Sequence, residues 1–387
     1  MTFARRAGTV VLAAVFSPMA LCACKSAPAA EPAIEGAAQP TKAVANPSAF
    51  PVNHEAWAKF GYRLDWVGFP FPRQGRAPKV VALKGFDDVV LAQEGDSTVT
   101  VLETATGQRR WSTDLTGPLT RFVSLDRDAL DPSRVVLSSE SEAFVLSIPN
   151  GNMLGRERFD RVVNTRAVMA GPIAIYGTSK GEILAHRLGL GVKAWGFGTN
   201  NPIDAAPIVV GSSILTVNQA GEVTALTSEG NLQGRNRIFG GTSTDPVTNG
   251  TLVFIAGLDQ SLWAFDEIAS LAWRYRTPGP LRTQPAAFGD RVYVEVRNQG
   301  LTALTAADGT VVWSSKDASG TVIASREREV LAWNAETSTM TLLEAERGEV
   351  IHTVAMPGVR QIFTDDTANA PMYAVSDKGV VARFVKK

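Results

Sequence analysis

Side chains that could form a metal site or a catalytic centre are few in this 387-residue sequence. The three histidines, His54, His186 and His352, are far apart and share no ligand spacing, so they do not predict a zinc site. The two cysteines, Cys22 and Cys24, both lie near the N-terminus. No nucleophile can be placed beside a base, and we therefore predict neither catalytic residues nor metal ligands.

One acidic run invites comparison with a calcium-binding loop. Asp126, Asp128 and Asp131 stand at short intervals in the stretch SLDRDALDPS. A calcium loop would also need a Gly at its turn and a distal Glu, and the run has neither. We therefore interpret it as a polar turn that precedes a strand starting near Val135.

The first 23 residues have the pattern of a secretory signal peptide. A basic start precedes an apolar run from Val10 to Leu21, which is too short to be kept as a membrane-spanning helix. The run ends in Leu-Cys-Ala-Cys, which resembles the lipobox of bacterial lipoproteins, with Cys24 as the lipidated first mature residue. Cys22 fits less well, because bulky Leu21 precedes it. The alternative is a plain signal cleavage that leaves a soluble periplasmic protein.

Removal of the signal would leave Cys24 as the only thiol, and a lipid would occupy it, so we expect no disulfide. Lys25 is not the Asp that in enterobacteria commonly retains lipoproteins at the inner membrane. This favours an outer-membrane anchor that faces the periplasm. Residues 24–55 are rich in Ala, Pro, Glu and Ser and predict a disordered tether, and residues 56–387 form the predicted folded domain.

Seven stretches repeat one phrase with a period near forty residues. The phrase is an apolar run, a Gly or another small residue, three residues, and then often a Trp. The small residue stands at Gly107, Gly151, Gly191, Gly230, Ala269, Gly309 and Gly348. Four residues later stand Trp111, Gly155, Trp195, Gly234, Trp273, Trp313 and His352. A fixed period of this length is typical of repeat proteins, in which each unit buries its surface against its neighbours.

Each period divides into short β-strands. Apolar and β-branched runs alternate with turns rich in Gly, Asn and Asp, as between Arg291 and Ser315. Four strands in forty residues predict one blade of a β-propeller. The eighth marker would fall just after Lys387, so the last blade would lack an outer strand, and we expect the strand around Trp66 to supply it. The prediction is an all-β, eight-bladed propeller of four-stranded antiparallel blades; packing beneath a loop is the alternative for Trp66.

The repeats resemble those of the pyrroloquinoline-quinone-type propeller family, in which an Ala precedes the Gly and the Trp. Ala303, Gly309 and Trp313 follow that spacing, whereas Thr224 and Trp263 stand at the Ala position of two other copies. In that family the Trp stacks between adjacent blades. The resemblance therefore implies a structural, inter-blade role for the recurrent indoles, which are those of Trp66, Trp111, Trp195, Trp273 and Trp313.

A quinone cofactor is not expected in spite of this resemblance. Dehydrogenases with such repeats resemble one another in longer chains, with an adjacent Cys pair and an acid-and-amide calcium set, and the sequence shows neither. Function follows the site and not the fold. We therefore expect a non-catalytic protein that has no cofactor.

Charge and loop composition favour a protein partner over a nucleic acid. The formal net charge is zero, and about −2 without the signal peptide, whereas a nucleic-acid-binding protein would carry a basic excess. Loops that connect successive blades are nevertheless rich in Arg, and we predict that Arg121, Arg282 and Arg360 bind the partner. The apolar loop tips expected between them are Leu119, Ile203 and Leu281. Ordinary solvated loops are the alternative.

The lipobox, the linker and eight quinone-type blades together resemble the BamB-type lipoprotein family, a scaffold in outer-membrane β-barrel assembly. The resemblance implies a monomeric propeller that binds an envelope protein, such as the barrel insertase, through loops on one face. It also implies that only the lipid contacts the membrane. The family's motifs are diffuse, and no binding residue is transferred from it. The alternative is a ligand-binding or sensory propeller that holds a saccharide or another small molecule in its central channel.

Overall fold

Every strand in the described part of the chain belongs to one of eight four-stranded antiparallel sheets. The computed structural model describes residues 53–68, 80–94, 97–117, 120–364 and 371–387. Chain contacts define two units, Met1–Ala37 and Ala38–Lys387, and all the described residues lie in the second. The predicted signal peptide, Cys24 and most of the predicted tether lie outside the described residues. Within the described ranges, no helix has the length and apolarity needed to cross a membrane.

The sheets are numbered here as blades in chain order. Blade 1 contains β2 (Val80–Gly85), β3 (Val89–Glu94), β4 (Thr98–Glu103) and β5 (Arg109–Asp114), and blade 2 contains β6 (Phe122–Arg127), β7 (Arg134–Ser139), β8 (Glu142–Ser147) and β9 (Met153–Arg158). Blade 3 contains β10 (Val168–Ala170), β11 (Ile173–Gly177), β12 (Glu182–Arg187) and β13 (Val192–Gly198), and blade 4 contains β14 (Ile208–Val210), β15 (Ser213–Val217), β16 (Glu222–Thr227) and β17 (Leu232–Arg237). Blade 5 contains β18 (Val247–Thr248), β19 (Val253–Gly257), β20 (Ser261–Phe265) and β21 (Leu271–Arg276), and blade 6 contains β22 (Ala286–Phe288), β23 (Arg291–Val296), β24 (Gly300–Thr305) and β25 (Val311–Ser315). Blade 7 contains β26 (Thr321–Ser325), β27 (Glu329–Asn334), β28 (Thr339–Glu344) and β29 (Val350–Ala355), and blade 8 contains β30 (Val359–Thr364), β31 (Met372–Ser376), β32 (Val381–Lys386) and β1 (Tyr62–Gly68). One helix, α1 (His54–Lys59), precedes β1.

The first strand of each blade is its inner strand. Inner strands of neighbouring blades contact one another around the ring, for example β14 with β10 and β18, and β30 with β26 and β2. The strands of blades 1 to 7 then follow chain order outward. In blade 8 the outer position is taken by β1, which pairs antiparallel with β32. The predicted eight-bladed propeller and its closure by the N-terminal strand are confirmed.

Burial explains why the middle strands form continuous apolar runs. Every residue of β15 is buried, whereas exposed and half-exposed residues alternate in the outer strand β17. A middle strand has hydrogen-bonded neighbours on both sides, and the adjacent blades cover both faces of its sheet. An outer strand has one free edge, so its alternation is the ordinary pattern of a half-buried strand.

The repeated small residue lies in the turn between the third and fourth strands. All seven markers have a positive φ, and the only non-Gly marker, Ala269, has φ 61°. In blades 1 and 6 the marker N–H bonds to the carbonyl four residues earlier, whereas that of Gly230 and that of Ala269 bond only three residues back. Because of this shorter turn, Ala225 and Ala264 are the residues that lie opposite Gly234 and Trp273. The alignment of Thr224 and Trp263 with the family's Ala was therefore wrong by one residue.

The five recurrent tryptophans each reach the next blade. Each indole Nε1 donates to a backbone carbonyl in the neighbouring turn, over 2.6–2.8 Å. The donor and acceptor pairs are Trp66 with Thr104, Trp111 with Ile148, Trp195 with Ser228, Trp273 with Ala306 and Trp313 with Ala345. The ring lies flat on the marker Gly, where a Cβ would come within 2.4–2.7 Å of the indole. Each such Gly is thus needed for its positive φ and for this close approach.

Two of the three positions that lack a Trp have other inter-blade contacts. At Gly234 a Cβ would lie 2.0 Å from the carbonyl oxygen of Ile268, so the next turn packs directly on the backbone. Asn236 Nδ2 donates to the Ala269 carbonyl there, over 3.0 Å. Between blades 2 and 3, Glu157 accepts from the Gly189 N–H at 2.8 Å and lies 3.0 Å from His186 Nε2. A blade junction can therefore be built without the indole.

The third such position, His352, is exposed, and helix α1 covers the adjacent junction of blades 7 and 8. Trp57 stacks on Phe384 with ring centroids 3.6 Å apart, in one apolar cluster with Met340 and Leu342 of blade 7. Arg326 of blade 7 donates to the Phe60 carbonyl through both terminal nitrogens, at 3.2 Å each. The sequence did not predict this helix, whose first two residues lie in the segment assigned to the tether.

Candidate protein-binding surface

Loops that link the outer strand of one blade to the inner strand of the next all lie on one face of the propeller. The turns between second and third strands lie on the same face, because successive antiparallel strands alternate in direction. We call this surface the connection face. The turns that contain the repeated markers lie on the opposite face.

The three arginines predicted to bind a partner are all exposed at this face. Arg121 precedes β6, Arg282 precedes β22, and Arg360 is the second residue of β30. Arg121 donates to Glu140 at 3.2 Å and to Asn164 at 3.4 Å. Within the described part of the chain, Arg282 and Arg360 form neither a hydrogen bond nor an ion pair. Two of the three guanidinium groups are therefore available to another molecule.

Two of the three apolar loop tips predicted between these arginines, Ile203 and Leu281, are buried, so that prediction was wrong for them. Ile203 and Leu281 are exposed to 0% and 1%, because each packs into the core beneath its loop. Ile203 lies against Gly177, where a Cβ would approach its side chain to 2.4 Å. Leu119 lies outside the described residues. The side chains of Ile203 and Leu281 anchor their loops instead of contacting a partner.

A chain of polar contacts fastens neighbouring connection loops to one another. Asn164 donates to the Ile203 carbonyl and to Asp204, and Gln219 also donates to Asp204. One Asp245 oxygen accepts from the Ala206 N–H at 2.7 Å, and the other pairs with Arg166. Loops of blades two apart are thereby linked, so this part of the face is preorganised.

Acidic groups on the connection face are largely engaged by these internal contacts. Glu182 accepts from Arg161 Nε at 2.8 Å and also pairs with Lys193. Burial raises the pKa of Glu182, but hydrogen bonds from Lys193 and Arg161 outweigh burial and hold the pKa below its ordinary value. The carboxylate therefore stays ionised and paired at neutral pH, and it does not offset the free arginines.

Sequence reasoning missed Phe239, an aromatic residue of the loop after β17. Its side chain is 65% exposed on the connection face. Its N–H donates to Asp259 at 3.4 Å, and the Arg274 guanidinium lies 5.7 Å from its ring and 4.2 Å from that of Trp263. Asp259 in turn accepts from Trp263 Nε1 at 3.1 Å and from Arg274 at 3.2 Å. A rigidly supported, exposed aromatic ring is typical of protein interfaces.

The signal for Phe239 in the sequence is weak. Gly240 and Gly241 follow it and mark a loop, but nothing local shows whether the ring points inward or outward.

In the described ranges, no three His, Cys, Asp or Glu side chains converge in a way that could hold a metal ion.

A family model and solved structures resemble this chain. The family model described as outer membrane protein assembly factor BamB matches two overlapping segments, residues 179–314 and 267–352. The chain resembles BamB. The crystal structure of BamB from Moraxella catarrhalis aligns over 80% of this chain and 99% of that chain, with TM-score 0.63 and 16% identity. The predicted resemblance to BamB-type propellers is thus confirmed.

A designed protein has the same fold. The crystal structure of the computationally designed Ika8 protein aligns over 83% of this chain and 99% of that chain, with TM-score 0.66 and 15% identity. No curated protein matches the sequence significantly. At these identities the structural likeness to Ika8, as to BamB, shows the fold alone. A BamB-like propeller fold is suited to a protein-interaction scaffold, and the partner-binding residues have to be argued from this chain's own surface.

Proposed function

We propose that this BamB-like propeller is a non-catalytic scaffold that binds a protein partner of the cell envelope through its connection face. The observation that carries the proposal is the pair of exposed, unpaired arginines, Arg282 and Arg360, on a face whose loops are fastened to one another. Arg is favoured at interfaces because its planar group pairs bidentately with carboxylates and stacks on apolar surfaces. The match of the BamB family model supports a role in outer-membrane protein assembly.

The proposal includes a lipid anchor at Cys24 in the outer membrane, with the propeller in the periplasm. Its support is the Leu-Cys-Ala-Cys sequence at the end of an apolar N-terminal run and Lys25 at the second mature position. In this proposal the protein is a monomer, needs no cofactor and binds no nucleic acid. Several acyl chains would make such an anchor stable, whereas one chain binds a membrane only marginally.

A charge-reversal experiment tests the scaffold proposal. The full-length protein would be purified by affinity from detergent-solubilised envelopes, and its co-purifying proteins compared with those of an Arg121→Glu, Arg282→Glu, Arg360→Glu variant. We expect the variant to lose the partners that the original chain recovers, because like charges across an interface are repulsive. Reversal of Arg63, Arg328 and Arg347, exposed arginines away from the connection face, is the matched control.

Equal recovery of the same partners by the charge-reversed variant and the control would contradict the proposal. Recovery of barrel-assembly subunits by the original chain would support the role in outer-membrane assembly. Recovery of no partner at all would favour the alternative, a propeller that binds a small molecule in its channel.

A further inference from the structure

The loop between β21 and β22, residues 277–285, is rich in proline and carries the exposed Arg282. It has the sequence TPGPLRTQP, and three prolines restrict its backbone. We propose that this loop, together with the turn between β23 and β24 of blade 6, is the docking site for an acidic, extended segment of the protein partner. This inference rests on the proposed function and names the chemistry of the partner.

Internal contacts hold the loop in a single shape. Its only large apolar residue, Leu281, is 1% exposed, and the Leu281 N–H bonds to the Gly257 carbonyl at 3.2 Å. Thr277 donates from its N–H to the Gln260 carbonyl at 2.9 Å and from Oγ1 to the Gly279 carbonyl at 2.7 Å. At the far end Gln284 donates to the Asp245 carbonyl at 2.9 Å. A loop ordered before binding loses little conformational entropy when a partner arrives.

Three exposed arginines surround this loop. Arg276 ends β21 immediately before the loop, and Arg282 lies within it. Arg297, in the turn between β23 and β24, lies against the loop, since a Cβ on Gly279 would be 3.1 Å from its Cδ. Tyr275 fastens the same turn to blade 5 through a 3.2 Å hydrogen bond to Gln299. The loop and the adjoining turn of blade 6 therefore carry three exposed arginines, which we call the arginine patch.

No described carboxylate forms an ion pair with the arginine patch. The side chains of Arg276, Arg282 and Arg297 form no hydrogen bond or ion pair in the described part of the chain. The nearby acids are already engaged: Asp245 with Arg166, and Asp259 with Arg274. Glu295 keeps its charge, but hydrogen bonds from Thr283 at 2.8 Å and from the Gly320 N–H at 3.1 Å hold it, and it pairs with none of the three arginines. The three guanidinium groups are thus free to pair with an external anion.

A carboxylate-bearing peptide fits this patch better than a flat anionic membrane. Exposed acids elsewhere on the same face, Asp204 and Asp377, would meet a flat negative surface together with the arginines. A narrow segment can contact the arginine patch and avoid them. Pro278 and Pro280 are exposed beside the arginines and offer apolar contact to the backbone or to an aliphatic side chain. Guanidinium groups bind carboxylates in a bidentate, directional way.

A peptide-binding experiment tests this inference with residues that were not used to test the scaffold proposal. The detergent-solubilised full-length protein would be titrated with a fluorescent peptide rich in Asp and Glu, and with a Lys-rich peptide of equal length. We expect the acidic peptide to bind, with an affinity that falls as salt rises, and an Arg276→Glu, Arg297→Glu variant to lose about tenfold or more in affinity. An Arg276→Lys, Arg297→Lys variant should lose less, because it keeps the charges.

The control is an Arg328→Glu, Arg347→Glu variant, which changes two exposed arginines on the opposite face. Equal unfolding midpoints would show that each variant folds. Failure of the original chain to prefer the acidic peptide, or unchanged affinity in the Arg276→Glu, Arg297→Glu variant, would overturn the inference. The same Arg276→Glu, Arg297→Glu variant would also be tested with phosphatidylglycerol vesicles. If the substitutions weaken vesicle binding more than acidic-peptide binding, the patch binds a lipid surface, and the inference is overturned.

The two proposals can fail separately. If the Arg276→Glu, Arg297→Glu variant still recovers every envelope partner that the Arg121→Glu, Arg282→Glu, Arg360→Glu variant loses, the scaffold stands and the docking site is wrong. If the original chain recovers no envelope partner and yet binds the acidic peptide through Arg276 and Arg297, the docking chemistry stands and the scaffold proposal fails.

Discussion

At the scale of single residues, the recurrent Trp combines two functions in one side chain. The indole ring covers the marker Gly of the next blade, and its N–H satisfies a buried carbonyl in the same turn, as Trp111 does with Gly151 and Ile148. A Phe would fill similar space but would leave the carbonyl without its donor. The contact is therefore apolar and directional at once, which keeps the angle between adjacent blades constant.

Removal of one buried indole should destabilise the propeller strongly. Trp111, which is 2% exposed, loses its ring contacts and its 2.6 Å hydrogen bond in a Trp111→Ala variant. We expect the free energy of unfolding to fall by about 3–5 kcal/mol, measured by denaturant titration. Trp195→Ala is the matched control and should cost less, because Trp195 is only half-buried. Equal losses in the two variants would contradict a role that depends on burial.

At the scale of strands, the outer strands show how one position can be filled in different ways. Blade 4 has Gly234 where five other blades have Trp, and the turn that faces it contains Ala269 instead of Gly. The two departures belong together, since an indole at 234 would collide with the turn of Ile268 and Ala269. Blade 2 also has a Gly, at 155, but no atom of the next blade lies within 4 Å of a Cβ there.

These two glycines should respond differently to the same small substitution. A Cβ at Gly234 would lie 2.0 Å from the Ile268 carbonyl oxygen, whereas at Gly155 the nearest contact is Val145 at 3.8 Å. We expect Gly234→Ala to lower the thermal unfolding midpoint, because a backbone atom must move, and Gly155→Ala to leave it almost unchanged. Calorimetry on both variants decides this; a Gly155→Ala loss as large as that of Gly234→Ala would show that the Cβ contact is not the cause.

At the scale of the whole molecule, the ring is closed by segments from distant parts of the chain. Strand β1 pairs with β32, and α1 packs on blades 7 and 8 beside it. Trp66 then links blade 8 to blade 1 through the Thr104 carbonyl, at 2.7 Å. A single N-terminal segment thus completes two successive blade junctions, which makes the fold of the last blade dependent on residues more than 300 positions earlier.

Removal of that segment should open blade 8 in particular. We expect a chain that lacks residues 1–68 to lose hydrogen-exchange protection at β32 and to self-associate, because β32 becomes an exposed edge strand. A chain that lacks only residues 1–52 keeps α1 and β1 and should retain protection. Exchange mass spectrometry and gel filtration measure the two effects, and full protection of β32 in the shorter chain would contradict closure by β1.

Much of this architecture could be predicted from local sequence patterns. A turn that requires positive φ selects Gly in each repeat, and a buried strand selects a short apolar run, so both leave a visible period. The missing outer strand of the last period, matched by the in-phase Trp66, then predicted eight blades and their closure. Helix α1 was not predicted, because its six residues are too few to show helical periodicity and depend on packing against blades 7 and 8.

The candidate site could not be predicted in this way, because it depends on contacts between distant parts of the chain. The sequence by itself determined the repeat, the blade count and which loops share a face, since each follows from spacing along the chain. Only the folded structure decided that Leu281 is a buried anchor and that Phe239 is exposed. It also decided that the side chains of Arg276, Arg282 and Arg297 pair with no described residue, whereas those of Arg121 and Arg166 do. Exposure and charge pairing in these loops are set by residues from about twenty to about eighty positions away, and no local pattern records such contacts.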